Sequence, residues 1–202
     1  VGRDDGRTRG EYSAILYRPD KLRLLAQETL WLASHEKRLT PGARHPDASL
    51  PRICTWAQFE DVASGSRFYV YNTHLDHMSQ AARETGAIMI TEAFGREQPS
   101  VGRIVCGDFN AGEDSAVLKH LKGAIDLSTG SAGSPGTWSL VDTFRVLQPY
   151  QGKVGTFHGF RGGLDGEKID YILADPAWKV LQAGIITQQR DGRFPSDHYP
   201  VY

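Results

Sequence analysis

The chain has 202 residues, 40% of them hydrophobic and 23% charged, an ordinary composition for one globular domain with a sizeable core. Its 23 basic and 24 acidic residues leave a formal net charge of −1, which argues against a grip on long nucleic acid, where a basic excess or stripe is usual. No apolar run approaches the roughly 18 residues of a spanning helix, and the two cysteines, Cys54 and Cys106, are too few for a disulfide scaffold.

From the N-terminus, Val1-Gly2-Arg3-Asp4-Asp5 is charged and has no apolar signal region, which leaves the compartment open. Glu11 to Arg18 and Leu22 to Leu32 read as strands joined by Pro19-Asp20, where Pro presets φ and Asp can bond its own backbone. Ser34 to Leu50 is polar, carries Pro41-Gly42 and Pro46, and reads as a loop. Arg52 to Phe59 and Phe68 to His74 form a hairpin with Ala63-Ser64-Gly65-Ser66 at its tip, and Cys54 in the first arm is a core thiol.

The period then changes. Ala82, Gly86, Met89, Ile90 and Ala93 recur at helical steps behind Ser79, a natural N-cap. Val101 to Cys106 is a short strand with the second core thiol, and a second helix covers Ser115 to Leu121. Gly123 to Ser139 is a Gly- and Ser-rich loop, and Leu140 to Leu147 is one or two helical turns. Strands follow at Lys168 to Ala174 and Val180 to Thr187, and a last one begins near His198. Hairpins with a few helices predict an α+β fold: two mixed sheets face to face with helices outside.

Polar residues gather where these strands end. Asn72-Thr73-His74-Leu75-Asp76-His77 closes one strand and Gly107-Asp108-Phe109-Asn110 another; Lys168-Ile169-Asp170-Tyr171 lies in a third and Ser196-Asp197-His198 opens a fourth. Alternation points Asn72 and His74 the same way, and likewise Asp108 and Asn110. Alone, each motif reads as a turn, a strand end or a surface pair. Together they supply the Asp, Asn and His of metal-assisted hydrolysis. His158, Arg52 and Arg83 are weaker candidates, a loop histidine and solvated arginines being the commoner cases, and the four tryptophans read as packing residues.

In this order, NTHLDH, GDFNA, KIDYIL and SDHYPV resemble the superfamily that includes DNase I, exonuclease III, inositol polyphosphate phosphatases and neutral sphingomyelinases, from about Gly10 to Tyr202. The resemblance implies a four-layered α/β sandwich and a Mg²⁺-dependent phosphoric ester hydrolase, with Mn²⁺ as the alternative ion. By matching motif, His74 resembles the histidine that contacts the scissile phosphate and Glu11 the acid that orients it. Asp108 and Asn110 resemble the pair that positions water and stabilises the phosphate, with Asp108 also at the metal. Asp170 resembles the carboxylate that pairs with the final histidine or stands beside the water; Asp197 resembles a metal-site acid and His198 the second catalytic histidine. The carboxylate partners are expected to raise both imidazole pKa values.

Family members open with a strand carrying a metal-site Asn and a second ending in a Glu ligand. Neither is found here, so roughly 40 to 60 residues are expected to be absent at the front, judged from typical element lengths, with the closing strand clipped at Tyr202. The implied partner is a phosphoester substrate, without a membrane span and with nucleic acid disfavoured by charge. A nuclease of the same superfamily and an inactive binding domain are the competing readings.

Overall fold

The structure, a computed structural model, describes residues 1–95, 102–132 and 138–202. Its centre is a mixed sheet of six strands in the order β1-β2-β3-β4-β8-β7. These are β1 (Leu22–Trp31), β2 (Ile53–Asp61), β3 (Arg67–His74), β4 (Gly102–Asp108), β7 (Val141–Asp142) and β8 (Asp170–Ala174). All neighbours are antiparallel except β3 and β4. That parallel pair needs a crossover, which α1 (Gln80–Phe94) supplies. Ser79 caps α1 by accepting the Ala82 amide, and Ser115 caps α2 (Ala116–Leu121) by accepting the Leu118 amide. A two-residue pair, β5 (Ile125–Asp126) with β6 (Ser131–Ala132), lies within the expected 123–139 loop, whose residues 133–137 fall outside those described. Val101, expected to start β4, is also outside them. β7 opens the segment expected to be wholly helical, and α3 (Thr143–Leu147) continues it.

Strand register divides the residues between two faces. Tyr71, Val105 and Leu173 pair across β3, β4 and β8 and are buried under α1 and α2, with Phe94 meeting the Tyr71 ring edge-on at 5.2 Å. Gly86 lets α1 approach this layer, since a Cβ there would stand 2.9 Å from Leu75. The opposite face carries His74 level with Asp108, and Asp108 level with Asp170. One face is therefore core and the other is free for chemistry.

The layer over that second face is looser than expected. Glu11 to Arg18 is extended but joins no ladder; it lies on the sheet through Ser13 Oγ donating to the Ile53 carbonyl and Asn72 Nδ2 donating to the Ala14 carbonyl at 2.8 Å. Val180 to Thr187 and the closing segment form no continuous strands, meeting instead at the single bridge Ile185–Val201, while Phe157 bridges to His198. Pro195 and Pro200 flank His198, and a proline cannot donate to a ladder. Lys168, expected to start β8, lies just ahead of it, buried, with Nζ 2.8 Å from Asp142 Oδ2. The fold class is α+β, as the sequence implies.

Gly107 fixes the end of β4. Its φ is +129° and a Cβ would stand 1.9 Å from the Thr73 carbonyl oxygen, a conformation and an approach that only glycine tolerates. Gly107→Ala should cost at least about 3 kcal/mol and lower the melting temperature by roughly 6 to 12 °C. Thermal unfolding followed by circular dichroism checks this; a loss below about 2 °C would show that the strand end relaxes at little cost.

Candidate active site

The site grows from three strand ends and the loops beside them. β3 ends in His74, β4 in Asp108 and β8 begins at Asp170. After Asp108 the chain turns through Asn110 in the left-handed region, φ +47°, a conformation that Asn tolerates. Its amide donates to Asp108 Oδ1 at 2.8 Å and its side-chain Nδ2 to the Leu75 carbonyl at 3.1 Å. Asn110 thus reaches the site through a turn, not through the strand alternation that the sequence suggested. Tyr171, fully buried, anchors the other side of this turn, its hydroxyl reaching the Ala111 and Lys168 carbonyl oxygens.

An unbroken chain of polar contacts crosses the site. Glu11 Oε2 lies 3.3 Å from His74 Nδ1, and His74 Nε2 lies 3.3 Å from Asp108 Oδ2. His198 Nε2 stands 3.8 Å from the same Asp108 oxygen and Nδ1 donates to Asp170 Oδ2 at 2.8 Å. Glu11, His74, Asp108, Asn110 and His198 line one cavity of about 350 Å³, and Asp170 joins it through His198. Asp197 is not brought in. Its carboxylate meets Ser196 Oγ at 3.4 Å, and its carbonyl accepts the amides of His158 and Gly159. Asp197 lies in the bend just before His198 and does not line the cavity.

The electrostatics follow from burial and crowding. Burial, and then the nearby Asp170 charge, push the Asp108 carboxyl up to about 6. The hydrogen bond to Asp170 raises His198 above its ordinary value. His74 goes against expectation: burial, and then the Arg52 charge, pull it down to about 4 and outweigh Glu11. A neutral His74 can therefore accept at Nε2 a proton carried by Asp108. Burial raises the Cys106 thiol to about 11 and that of Cys54 further, so neither is a thiolate.

Ligand atoms of Asp108, Asp170 and His198 all lie within 4.8 Å of one another. Two carboxylates at this spacing repel, as the raised Asp108 pKa records, and a cation between them would relieve the repulsion. The two carboxylates fit a hard divalent ion by donor type.

Sequence reasoning undervalued the basic edge. Arg52 is buried, not solvated; Nη2 donates to His77 Nδ1 at 2.8 Å, and Arg3 holds Glu11 through Nη1. The signal lay in the hairpin: Cys54 pairs with Thr73, so a residue two before Cys54 must lie beside the end of β3. Arg83 donates to the Asp76 carbonyl and lines a neighbouring cavity of about 500 Å³. His158 stacks on Tyr199 at 3.9 Å and is a packing residue; its neighbour Phe157 lines the site.

The endonuclease/exonuclease/phosphatase family model matches residues 6–198. The whole chain aligns with a mannosyl-6-phosphatase of Bacteroides thetaiotaomicron at 30% identity, covering 73% of that protein with a TM-score of 0.79. A functionally unknown conserved protein from Enterococcus faecalis aligns equally at 30% identity, over 100% of this chain and 73% of that one, with a TM-score of 0.80. An uncharacterized protein of Acanthamoeba polyphaga mimivirus is 26% identical over 109 residues, 54% of this chain and 40% of that relative's length. With a match over nearly its full length, its site at the strand ends of a mixed sheet and an α+β fold in common with these structures, the chain belongs to the endonuclease/exonuclease/phosphatase family.

Proposed function

We propose that the site hydrolyses a phosphoester of a small hydroxylated molecule by in-line attack of water, with a divalent cation, Mg²⁺ or Mn²⁺, bound beside Asp108 and Asp170. The observation that carries this reading is the Asp170–His198 hydrogen bond beside Asp108, with His74 and Asn110 facing the same cavity. The cation would neutralise charge on the phosphate oxygens when bound. Asp108, facing the cavity at the end of β4, is placed to take the proton from the attacking water. His198, its pKa raised, donates from Nε2 to a phosphate oxygen while Asp170 fixes its tautomer through Nδ1. Asn110 keeps one side-chain N–H for another oxygen after bonding Leu75. Glu11 holds the His74 ring in place.

The leaving group has room in the cavity of about 500 Å³ beyond Asn110, whose rim carries Gln80, Arg83, Glu84 and Glu167. Carboxylates and amides there can accept sugar hydroxyls but repel further phosphates, which favours a small polar substrate over a polynucleotide. The name of the Bacteroides mannosyl-6-phosphatase supports the same class. The test is hydrolysis of hexose phosphates, aryl phosphates, nucleotides and a single-stranded oligonucleotide, with Mg²⁺, with Mn²⁺ and with EDTA. Activity on the small esters that EDTA abolishes is expected; degradation of the oligonucleotide alone would favour a nuclease, and no cation-dependent hydrolysis would sink the reading.

Asp170→Ala should lower kcat about 10²- to 10⁴-fold by freeing the His198 ring. Its His198 pKa, read by NMR, should fall toward the ordinary value. Unchanged turnover would remove Asp170 from the machinery.

Asp108→Asn should also abolish turnover, yet raise the stability of the cation-free protein. The folded carboxyl near 6 exceeds the unfolded value, so ionisation costs stability as pH rises from about 4 through 6. The variant should gain about 1–3 kcal/mol at pH 7.5, and the gain should vanish toward pH 4. Melting curves across this range in EDTA check the sign; a gain independent of pH would show that ionisation of Asp108 is not its source.

A further inference from the structure

We infer that Arg52, backed by Arg3 and His77, seats the second negative charge of a dianionic phosphate, so that the site takes phosphomonoesters ahead of phosphodiesters. This rests on the phosphoester reading above and narrows it. Arg52 is only 5% exposed and lines the cavity shared by His74, Asp108, Asn110 and His198. Of its donors, Nη2 serves His77, whereas Nη1 and Nε have no hydrogen-bond partner. The nearest carboxylate oxygens are too far for a bond, Glu11 Oε2 at 3.8 Å from Nη1 and Asp76 Oδ2 at 3.6 Å from Nε. Glu11 Oε2 is already committed to Arg3 Nη1 and lies against His74. Arg3 is itself 8% exposed and its Nε makes no hydrogen bond, with Asp4 Oδ1 standing 3.6 Å away.

Two guanidinium groups buried side by side with unmade donors are costly, because a guanidinium can only donate and each buried unmade bond keeps its full desolvation penalty. An anionic oxygen in the cavity would remove that cost once the guanidinium turns to present Nη1, which has no open surface of its own. Geometry sets which oxygen it is. His198 and Asn110 stand beside Asp108, and Arg52 stands beside Glu11, which meets His74. In the reading above His198 takes one non-bridging oxygen and Asn110 a second, which leaves the third for Arg52. A monoester has three such oxygens and two charges; a diester has lost one oxygen to a second ester carbon. Turned toward Arg52, that carbon would leave Nη1 unpaired against an apolar group, and a site built to bond an oxygen rejects the analogue that lacks it. The competing view is that Arg52 merely braces Glu11 and Asp76.

The experiment compares kcat/KM for 4-nitrophenyl phosphate and methyl 4-nitrophenyl phosphate in the protein, Arg52→Met and Arg52→Lys, with Mn²⁺ or Mg²⁺. We expect Arg52→Met to lower the monoester value about 30-fold or more and the diester value no more than about 3-fold, with Arg52→Lys in between. Equal losses on both esters would make Arg52 a brace and overturn the inference, as would no loss. A second measurement is independent of turnover: inorganic phosphate should raise the melting temperature of the unaltered protein and of Arg52→Lys, but not of Arg52→Met, and dimethyl phosphate should raise none. An equal phosphate shift in Arg52→Met overturns the seat. Failure of the unaltered protein to hydrolyse either ester would sink the phosphoester reading instead, and the phosphate shift would still decide whether Arg52 binds the anion.

Discussion

Everything in the site depends on the register of three neighbouring strands. β3 and β4 run parallel and in step, β4 and β8 antiparallel and in step, and the result is the level row His74, Asp108, Asp170. Adjacent strands are about 4.8 Å apart, so three titratable groups are held closer than free side chains in water would settle. Burial and that spacing raise the Asp108 carboxyl, whereas burial and the Arg52 charge lower the His74 imidazole. A slip of one residue in β4 would send Asp108 to the opposite face, among Tyr71, Val105 and Leu173 under the helices. Register and chemistry are thus the same constraint here.

The charges are graded across the cavity. Carboxylates crowd one side, at Asp108 and Asp170, and guanidinium groups the other, at Arg3 and Arg52. His74 sits at the boundary, within 3.3 Å of both Glu11 and Asp108. Such a gradient explains why a carboxylate next to an imidazole need not charge it. Glu11 favours the imidazolium, but two cations and loss of water disfavour it more. Sequence reasoning saw Glu11 and His74 as a pair and could not see the third and fourth members.

What could be read in advance was local. Ser79 and Ser115 cap helices through their own side chains, and the hairpin of β2 and β3 follows from alternation and the turn residues between them. The motif order around His74, Asp108, Asp170 and His198 was legible because each sits at the end of an apolar run. The misses have a common cause. Glu11 to Arg18 and Val180 to Thr187 have strand-like composition, yet whether an extended segment gains a ladder depends on partners far away in sequence. Asp197 carries its metal-site role only through the resemblance of its motif, and a bend ahead of His198 leaves it outside the cavity lining. Residue type alone makes Arg52 a solvated arginine, whereas it is buried beside Asp76 and His77, which follow β3, and Glu11 near the start.

The segments that supply the site lie far apart: Arg3 and Glu11 near the start, Arg52 and His74 in the hairpin, Asp108 after the crossover helix, Asp170 and His198 near the end. The hairpin can form early because its contacts are local, whereas the parallel pairing of β3 with β4 must wait for α1 to close a longer loop. No two-strand fragment contains the whole row. The level row is then a property of the completed topology, and during synthesis a partly emerged chain carries its histidines and carboxylates as unconnected side chains.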